Sequence, residues 1–216
     1  MLIKFLCPAA AAGALMLSSG FAEAVTLFSL DEVAFEAANT ITSTEDFEDE
    51  SFPPGGTQQT LGTVETYGDF TLGVDFGEIV EVGAGLFGLP SAMAGANQFS
   101  SSLDVLLPAN STAFGVDLFS LLSASNMAVE VYDIFDNLLA STSIAVGDQS
   151  SSGTFLGVTS DEAIGRVNLL SDTDQAEIVD NLRAGTAMTP IPLPASAFLL
   201  LTGLLGAGAV TRRKKS

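Results

Sequence analysis

The sequence predicts an all-β protein: an antiparallel β-sandwich of the jelly-roll type with one short N-terminal helix, followed by a C-terminal transmembrane helix. Three observations lead to this prediction. Between residues 25 and 186, short runs rich in Val, Ile, Leu, Thr and Phe alternate with turns rich in Gly, Asn and Asp, a pattern typical of many short strands. That body shows no long helical periodicity. Beyond it, residues 197–210 carry no charge, which favours a membrane segment.

One short helix is predicted at the start of the body. Ser29 is the predicted N-cap, and Glu32, three residues later, completes a capping box. Asn39 is the predicted end of the helix. Apolar residues repeat at helical spacing between these two ends, namely Leu30, Val33, Ala34 and Ala37.

The rest of the body is predicted as strands joined by short turns. The predicted strands are 41–48, 61–67, 70–76, 79–82, 99–107, 111–119, 127–134, 138–146, 155–159, 164–170 and 177–182. Residues 83–97 are rich in Gly and Ala and are predicted as a loop. In the strand 127–134, Met127, Val129 and Val131 alternate with Glu130 and Tyr132, so one face is expected in the core. The 12 phenylalanines of the body are also interpreted as core.

The composition excludes several classes of function. The 216 residues include 26 Asp and Glu, 7 Lys and Arg, no His and one Cys, for a net charge of -19. Without His there is neither a Ser-His-Asp triad nor an imidazole metal ligand. Such acidity argues against nucleic-acid binding, which requires clustered Lys and Arg. No pair of carboxylates stands out among so many, and the protein is predicted not to be an enzyme.

The N-terminal residues 1–24 are predicted to be a signal peptide. Lys4 precedes an apolar run, and Ala22 and Ala24 form the small-x-small pattern that signal peptidase accepts. Cleavage before Val25 by signal peptidase, after passage through the secretion machinery, predicts an exported body. The alternative is an N-terminal anchor that is left uncut. Cys7 lies in this segment, so the body has no thiol.

Residues 187–216 are predicted to be a membrane-targeting segment. A proline-rich stretch at 190–196 precedes the apolar run 197–210, and a basic tail at 212–215 consists of Arg212, Arg213, Lys214 and Lys215. At about 1.5 Å per residue the apolar run spans roughly 21 Å, less than the ~30 Å hydrocarbon core. The basic tail is expected to stop transfer and remain cytoplasmic. The body of the tethered precursor is then expected in the periplasm.

The order of these features resembles the PEP-CTERM class of sorting signals, in its VPLPA-CTERM variant. The motif consists of Ile191, Pro192, Leu193, Pro194, Ala195 and Ser196. This resemblance implies a Gram-negative bacterium and processing by an exosortase between Pro190 and Ser196. It also implies a final location at the cell surface or in the extracellular matrix. A plain tail anchor is the alternative.

The body also resembles galactose-binding-like jelly rolls. The resemblance lies in four segments, 44–48 (TEDFE), 113–117 (AFGVD), 155–158 (FLGV) and 178–182 (IVDNL). It implies that the first and last strands lie side by side, often with a structural calcium ion. Glu48 and Asp180 are the expected calcium ligands, with Asp117 as a third. The alternative is that Glu48 belongs to a solvated acidic stretch, residues 45–50.

Two functions follow from these observations. One is a non-catalytic surface or matrix protein that requires no cofactor and acts through its location and charge. The other is a carbohydrate-binding module that docks on exopolysaccharide. Tyr132 is the predicted ligand-binding residue because it lies on the polar face of its strand. The alternative for Tyr132 is an edge tyrosine packed on a neighbour.

Overall fold

The computed structural model describes residues 26–49, 51, 57–148, 153–172 and 175–188. These residues form two antiparallel sheets packed face to face, with one short helix, α1 (Glu32–Ala38). The prediction of an antiparallel β-sandwich with one short helix is therefore confirmed. The strands are β1 (Thr26–Ser29), β2 (Asn39–Glu45), β3 (Gln58–Thr60), β4 (Val64–Tyr67), β5 (Phe70–Val74), β6 (Ile79–Val82), β7 (Met93–Ala96), β8 (Leu103–Leu106), β9 (Ala113–Ser120), β10 (Ser125–Asp133), β11 (Leu138–Val146), β12 (Thr154–Ser160), β13 (Ile164–Ser171) and β14 (Glu177–Ala187).

The two sheets differ in size. The larger has eight strands in the order β1-β12-β9-β14-β7-β6-β3, and β2 pairs with the other part of β14. The smaller has six strands in the order β11-β10-β13-β8-β5-β4. The pairing of β2 with β14 sets Glu45 opposite Leu182, so the first and last predicted strands do lie side by side.

The main core fills the space between the sheets. Met127, Val129 and Val131 are fully buried there, which confirms the predicted alternation along β10. A second apolar cluster lies on the outer face of the eight-stranded sheet, because alternate residues of one strand point to opposite faces. Its buried members are Val80, Val82, Leu89, Met93, Phe119 and Ile178.

The helix begins later than predicted. Asp31, not Ser29, is the N-cap, and its Oδ1 accepts a hydrogen bond from the Ala34 amide at 3.0 Å. Ser29 is the last residue of β1, a strand that was not predicted. The predicted end is confirmed, since Asn39 caps the helix and its Nδ2 donates to the Phe35 carbonyl at 2.7 Å.

The prediction that residues 83–97 form one loop is wrong. The segment contains a 3₁₀ turn, Leu86–Gly88, and the strand β7, which lies between β6 and β14. β7 contains no β-branched residue, so it gives a weak strand signal. Its Gly95 is required by close packing, because a Cβ there would lie 2.1 Å from the Glu177 carbonyl oxygen.

The predicted signal peptide and residues 189–216 of the predicted C-terminal segment lie outside the described residues, whereas Ala187, its predicted first residue, ends β14. The residues outside include the cleavage pattern at Ala22 and Ala24, the proline-rich motif, the apolar run and the basic tail. Within the described ranges, no helix is long and apolar enough to cross a membrane.

Candidate ligand-binding site

An open cleft lies on the outer face of the eight-stranded sheet; we name it the Phe87–Phe99 cleft. Its volume is about 200 Å³. Residues from β3, β6, β7, β14, the 3₁₀ turn and three loops meet there. The lining consists of Gln58, Val80, Val82, Phe87, Ala96, Asn97, Phe99, Leu121, Ala176 and Ile178.

The floor of the cleft is apolar around Gly95, where the backbones of β7 and β14 lie close together. Gly95 pairs with Ile178 on one side and with Val80 on the other. Directly opposed residues of paired strands point to the same face, so two aliphatic side chains flank a position that has no side chain. Ile178 and Val80 are 0% and 7% exposed, so the floor is closely packed.

Two phenylalanines form the walls of the cleft. Phe87 and Phe99 are 47% and 41% exposed, although large apolar side chains are usually buried. Phe87 has a φ of 53° and Ser100, which follows Phe99, has a φ of 69°. The left-handed region costs a residue with a Cβ roughly 1–2 kcal/mol, and such strain concentrates at ligand-binding sites. Positive φ values thus occur at Phe87 itself and at the residue directly after Phe99.

Two amides supply the polar groups of the cleft. Gln58 and Asn97 are exposed, and within the described part of the chain no hydrogen bond engages either side-chain amide. None of the described lining residues is ionisable. An amide offers both donors and an acceptor, so the cleft combines aromatic faces, an apolar floor and uncharged hydrogen-bonding groups. That combination suits a neutral ligand that has both apolar faces and hydroxyls.

Neither wall of the cleft was expected from the sequence, because all the phenylalanines were interpreted as core. Five of them are buried, but the two cleft residues are not. A usable signal was present in the residues around Phe87. Gly85 and Gly88 bracket it with φ values of 85° and 84°, and two glycines so close together indicate a tight turn that presents its central residue outward.

Tyr132 lies on the outer face of the six-stranded sheet, in a polar network. The Arg166 guanidinium carbon is 3.9 Å from the Tyr132 ring centroid. The Tyr132 hydroxyl donates to Glu130 Oε2 at 2.5 Å, and this hydrogen bond is the main reason that the pKa of Tyr132 is raised. Arg166 also binds Asp104 and Asp136, at 2.6 Å each. One ring face and the hydroxyl of Tyr132 are thus engaged, and its role as a ligand platform stays a prediction.

Two predicted calcium ligands, Asp117 and Asp180, lie on the neighbouring strands β9 and β14, whereas Glu48 follows β2. Asp180 is directly opposite Asp117, and burial, with the nearby charges of Asp117 and Glu48 adding to it, raises the pKa of Asp180 to about 6. Burial also raises the pKa of Asp117. Ser91 Oγ donates to Asp180 Oδ2 at 2.5 Å, and the Ala92 amide donates to Glu48 Oε1 at 2.9 Å.

Protein donors therefore already engage these carboxylates. Among the described residues no three carboxylates are placed to hold a metal ion together. Glu48 is exposed and lines an acidic recess with Glu45, Asp46 and Asp49. This position agrees with the alternative interpretation, in which Glu48 belongs to the solvated acidic stretch 45–50. Calcium binding by Glu48, Asp117 and Asp180 stays a prediction.

Comparisons with known proteins give distant structural likenesses. No family model matches the chain, and no curated protein matches it. The chain is similar to a family 6 carbohydrate-binding module from Clostridium stercorarium, solved with cellobiose, at 13% identity and a TM-score of 0.32, over 67% of this chain and 94% of that one. It is similar to a module of Cellvibrio mixtus lichenase 5A, solved with cellotriose, at 13% identity and a TM-score of 0.32, over 69% and 100%.

A third likeness is to a DUF4465 family protein from Bacteroides caccae, at 9% identity and a TM-score of 0.34, over 73% of this chain and 98% of that one. Likenesses this distant carry no argument about function. The function of this chain therefore has to be inferred from its own surface.

Proposed function

We propose that the protein is an exported, non-catalytic domain that binds a neutral glycan in the Phe87–Phe99 cleft. The observation that carries the proposal is the pair of half-exposed phenylalanines beside two amides that make no hydrogen bond within the described residues. The C–H faces of a sugar ring pack on aromatic rings, and its hydroxyls bond to amides. Exopolysaccharide of the producing cell is the proposed source of the glycan.

The chemistry of the cleft supports binding without catalysis. Glycoside hydrolysis needs two carboxyl groups on either side of the scissile bond, and the described cleft lining has none. The two carboxyls with the largest upward pKa shifts, Glu177 and Asp180, are 0% and 3% exposed. Neither is among the cleft residues, so these two acids are not placed to act on a sugar bound there.

The path of the chain supports a surface location for the cleft. β14 is 11 residues long, with Ile178 in the cleft floor near one end and Ala187 at the other. At about 3.3 Å per residue, roughly 30 Å separates them. Both ends of the body meet at that far end, where Thr112 accepts hydrogen bonds from the Ser160 and Ala187 amides at 2.8 Å each, and β1 begins opposite Ser160. A body tethered there presents its cleft away from the membrane.

The delivery of the domain is the second part of the proposal. The proline-rich motif 191–196, the apolar run and the basic tail follow the last strand directly. We propose that an exosortase processes the tethered precursor at this motif and releases the domain to the cell surface or matrix. The competing function is that of a β-sandwich protein that binds no ligand and acts through its charge and location.

Glycan binding by the full-length protein tests the proposed site. Neutral and acidic oligosaccharides are presented on an array, and affinities are then measured by titration calorimetry. Replacing both Phe87 and Phe99 by Ala should weaken binding of a neutral glycan about tenfold or more, because two stacking contacts are lost. Phe135→Ala is the matched control, since Phe135 is 79% exposed on a hairpin away from the cleft, and it should bind like the wild type.

Two results would overturn the proposal. If the wild type binds no glycan, glycan binding is replaced by the competing function, that of a surface protein that acts through its charge and location. If Tyr132→Ala abolishes binding while the double Phe variant retains it, the site lies on the outer face of the six-stranded sheet instead.

A further inference from the structure

The edge strand β11 is the longest open sheet edge in the described part of the chain. It has nine residues and ends the order of the six-stranded sheet, paired with β10 alone. Within the described residues, no hydrogen bond joins β11 to any other element. Since alternate residues of an edge strand direct their N–H and C=O groups away from the sheet, β11 offers a row of unpaired backbone groups.

The other edges are protected in the ways that natural sheets use. β1, β3 and β4 are four, three and four residues long, and short edges pair poorly with another chain. β2 is longer but carries Glu45. Charges, prolines and short length are the usual devices against edge-to-edge pairing. β11 has none of these three, because its nine residues read LLASTSIAV, and its one bulge, at Leu139, lies near its first end.

The order of side chains along β11 is nearly the same in both directions. Three hydroxyl residues at the centre, 141–143, are flanked by three apolar residues on each side, 138–140 and 144–146. Two copies of such a strand, paired antiparallel about Thr142, match group for group. Ser141 then faces Ser143 of the second copy, and Ala140 faces Ile144, whereas a bulge at Leu139 interrupts the regular pairing at the first end of the strand. Hydroxyl pairs and apolar pairs across strands are both favourable.

We propose that β11 pairs with β11 of a second copy of this chain, about a two-fold axis at Thr142. The six-stranded sheets of the two molecules then join into one continuous sheet. This inference is independent of the proposed glycan site, because the Phe87–Phe99 cleft lies on the other sheet.

Charge favours β11 over the rest of the surface as the contact. All but one of the 26 acids lie in the body, against two basic residues there, Arg166 and Arg183, so most faces of two copies repel each other. β11 has no ionisable side chain. Its first residue, Leu138, is 54% exposed, and the turn before it exposes Ile134 by 59% and Phe135 by 79%, which adds apolar area beside the strand.

Disulfide trapping tests the pairing and its register. The full-length protein with Cys7→Ser has no other thiol, so a single introduced cysteine reports one contact. At the two-fold axis, the Cα atoms of the two copies of residue 142 should lie about 4.5–5.5 Å apart, within the range that a disulfide spans. Thr142→Cys should form a disulfide-linked dimer in air. Ala128→Cys, exposed on β10 one strand inward, should stay reduced.

Light scattering should give the wild-type protein the mass of two polypeptide chains. Ser141→Glu with Ser143→Glu sets four carboxylates against one another at the axis and should return the monomer. Thr40→Glu with Thr44→Glu adds the same charge to exposed positions of β2 and should leave the dimer intact. A monomeric wild type overturns the proposal, as does a dimer that the β11 charges leave unchanged or equal cross-linking at residues 128 and 142.

Discussion

At the scale of single residues, Glu177 is the clearest case of a group whose charge conflicts with its surroundings. It is 0% exposed at the start of β14. Its Oε1 accepts a hydrogen bond from the Ser171 amide, whereas Oε2 has no partner among the described atoms. Burial raises the pKa of Glu177 to about 7, and hydrogen bonds from backbone amides lower it by less. A buried carboxylate with one unpaired oxygen is costly to ionise.

The sign of the resulting pH dependence follows from this pKa. In the unfolded chain the pKa of Glu177 returns to about 4.5, so below that pH both states are protonated and Glu177 does not oppose folding. Between about 4.5 and 7 the unfolded chain loses the proton first, and the free energy of unfolding falls as the pH rises. Asp180, whose pKa is raised to about 6 by burial, adds to the same fall.

Glu177→Gln should therefore stabilise the protein above pH 7, by an amount on the order of 3 kcal/mol at most, and should flatten the fall between pH 4.5 and 7. Part of the fall should remain because Asp180 still titrates. Urea unfolding at several pH values measures both effects. Glu162→Gln removes an exposed carboxylate and is the control for net charge. Parallel pH profiles for wild type and Glu177→Gln would show that the burial of this carboxyl does not govern stability.

At the scale of elements, α1 depends on its packing against the β-sandwich. Its seven residues are too few for a helix that is stable alone. Phe35 is 2% exposed and its ring lies over Gly115 and Gly157, with its centroid 5.5 Å from that of Phe155. Arg183 on β14 adds ion pairs to Glu32 and Glu36. The helix is thus held by one aromatic ring in a glycine-lined hollow and by charge at its rim.

Gly157→Ala should destabilise the protein by about 1–3 kcal/mol, the usual cost of overpacking. A Cβ at this position would lie 2.6 Å from Phe35 Cδ2, and the ring has to move. Gly73→Ala is the matched control in β5, because the closest atom to its new Cβ is Asp104 Cβ at 3.8 Å, an ordinary contact. Chemical denaturation compares the two variants. If both variants lose the same free energy of unfolding, the loss comes from replacing any strand glycine and not from the contact between Phe35 and Gly157.

How well a strand can be predicted from sequence depends on its side chains. β10 and β13 were found because apolar and polar residues alternate along them, and β6 and β11 match the predicted bounds. β3 has three polar residues, QQT, and β7 reads MAGA, so neither shows alternation or β-branching. β7 is a strand because its neighbours on both sides pair with it. Pairing with neighbouring strands leaves no local signal in the sequence of β7 except Gly95, where the neighbouring backbone excludes a side chain.

At the scale of the whole molecule, the position of the candidate binding site was the least predictable feature. Fold class follows from alternation within segments, but the cleft is built from β3, β6, β7, β14 and loops far apart in sequence. The exposure of Phe87 and Phe99 depends on turn geometry that a list of apolar residues does not show. Tyr132 was placed correctly on a polar sheet face, yet the approach of Arg166 to its ring depends on the register of β10 and β13.

The arrangement of the molecule also makes the sorting proposal testable. On the sorting proposal, Pro192 and Pro194 are expected to keep residues 191–195 from extending the proposed membrane helix. With both replaced by Ala, a helix from Ile191 to Val210 would reach roughly 30 Å, the full thickness of the hydrocarbon core. The proposed cleavage region would then lie inside the bilayer, out of reach of an enzyme that cuts at its surface.

Pro192→Ala with Pro194→Ala should therefore accumulate as an unprocessed form in the inner membrane of an exosortase-bearing host. Immunoblots of membrane and surface fractions measure the ratio of the two forms. Pro53→Ala with Pro54→Ala changes two prolines of the body and should be processed like the wild type. Because a plain tail anchor has no need of the prolines, normal release of the Pro192 and Pro194 variant would rule out exosortase sorting, whatever glycan the cleft binds.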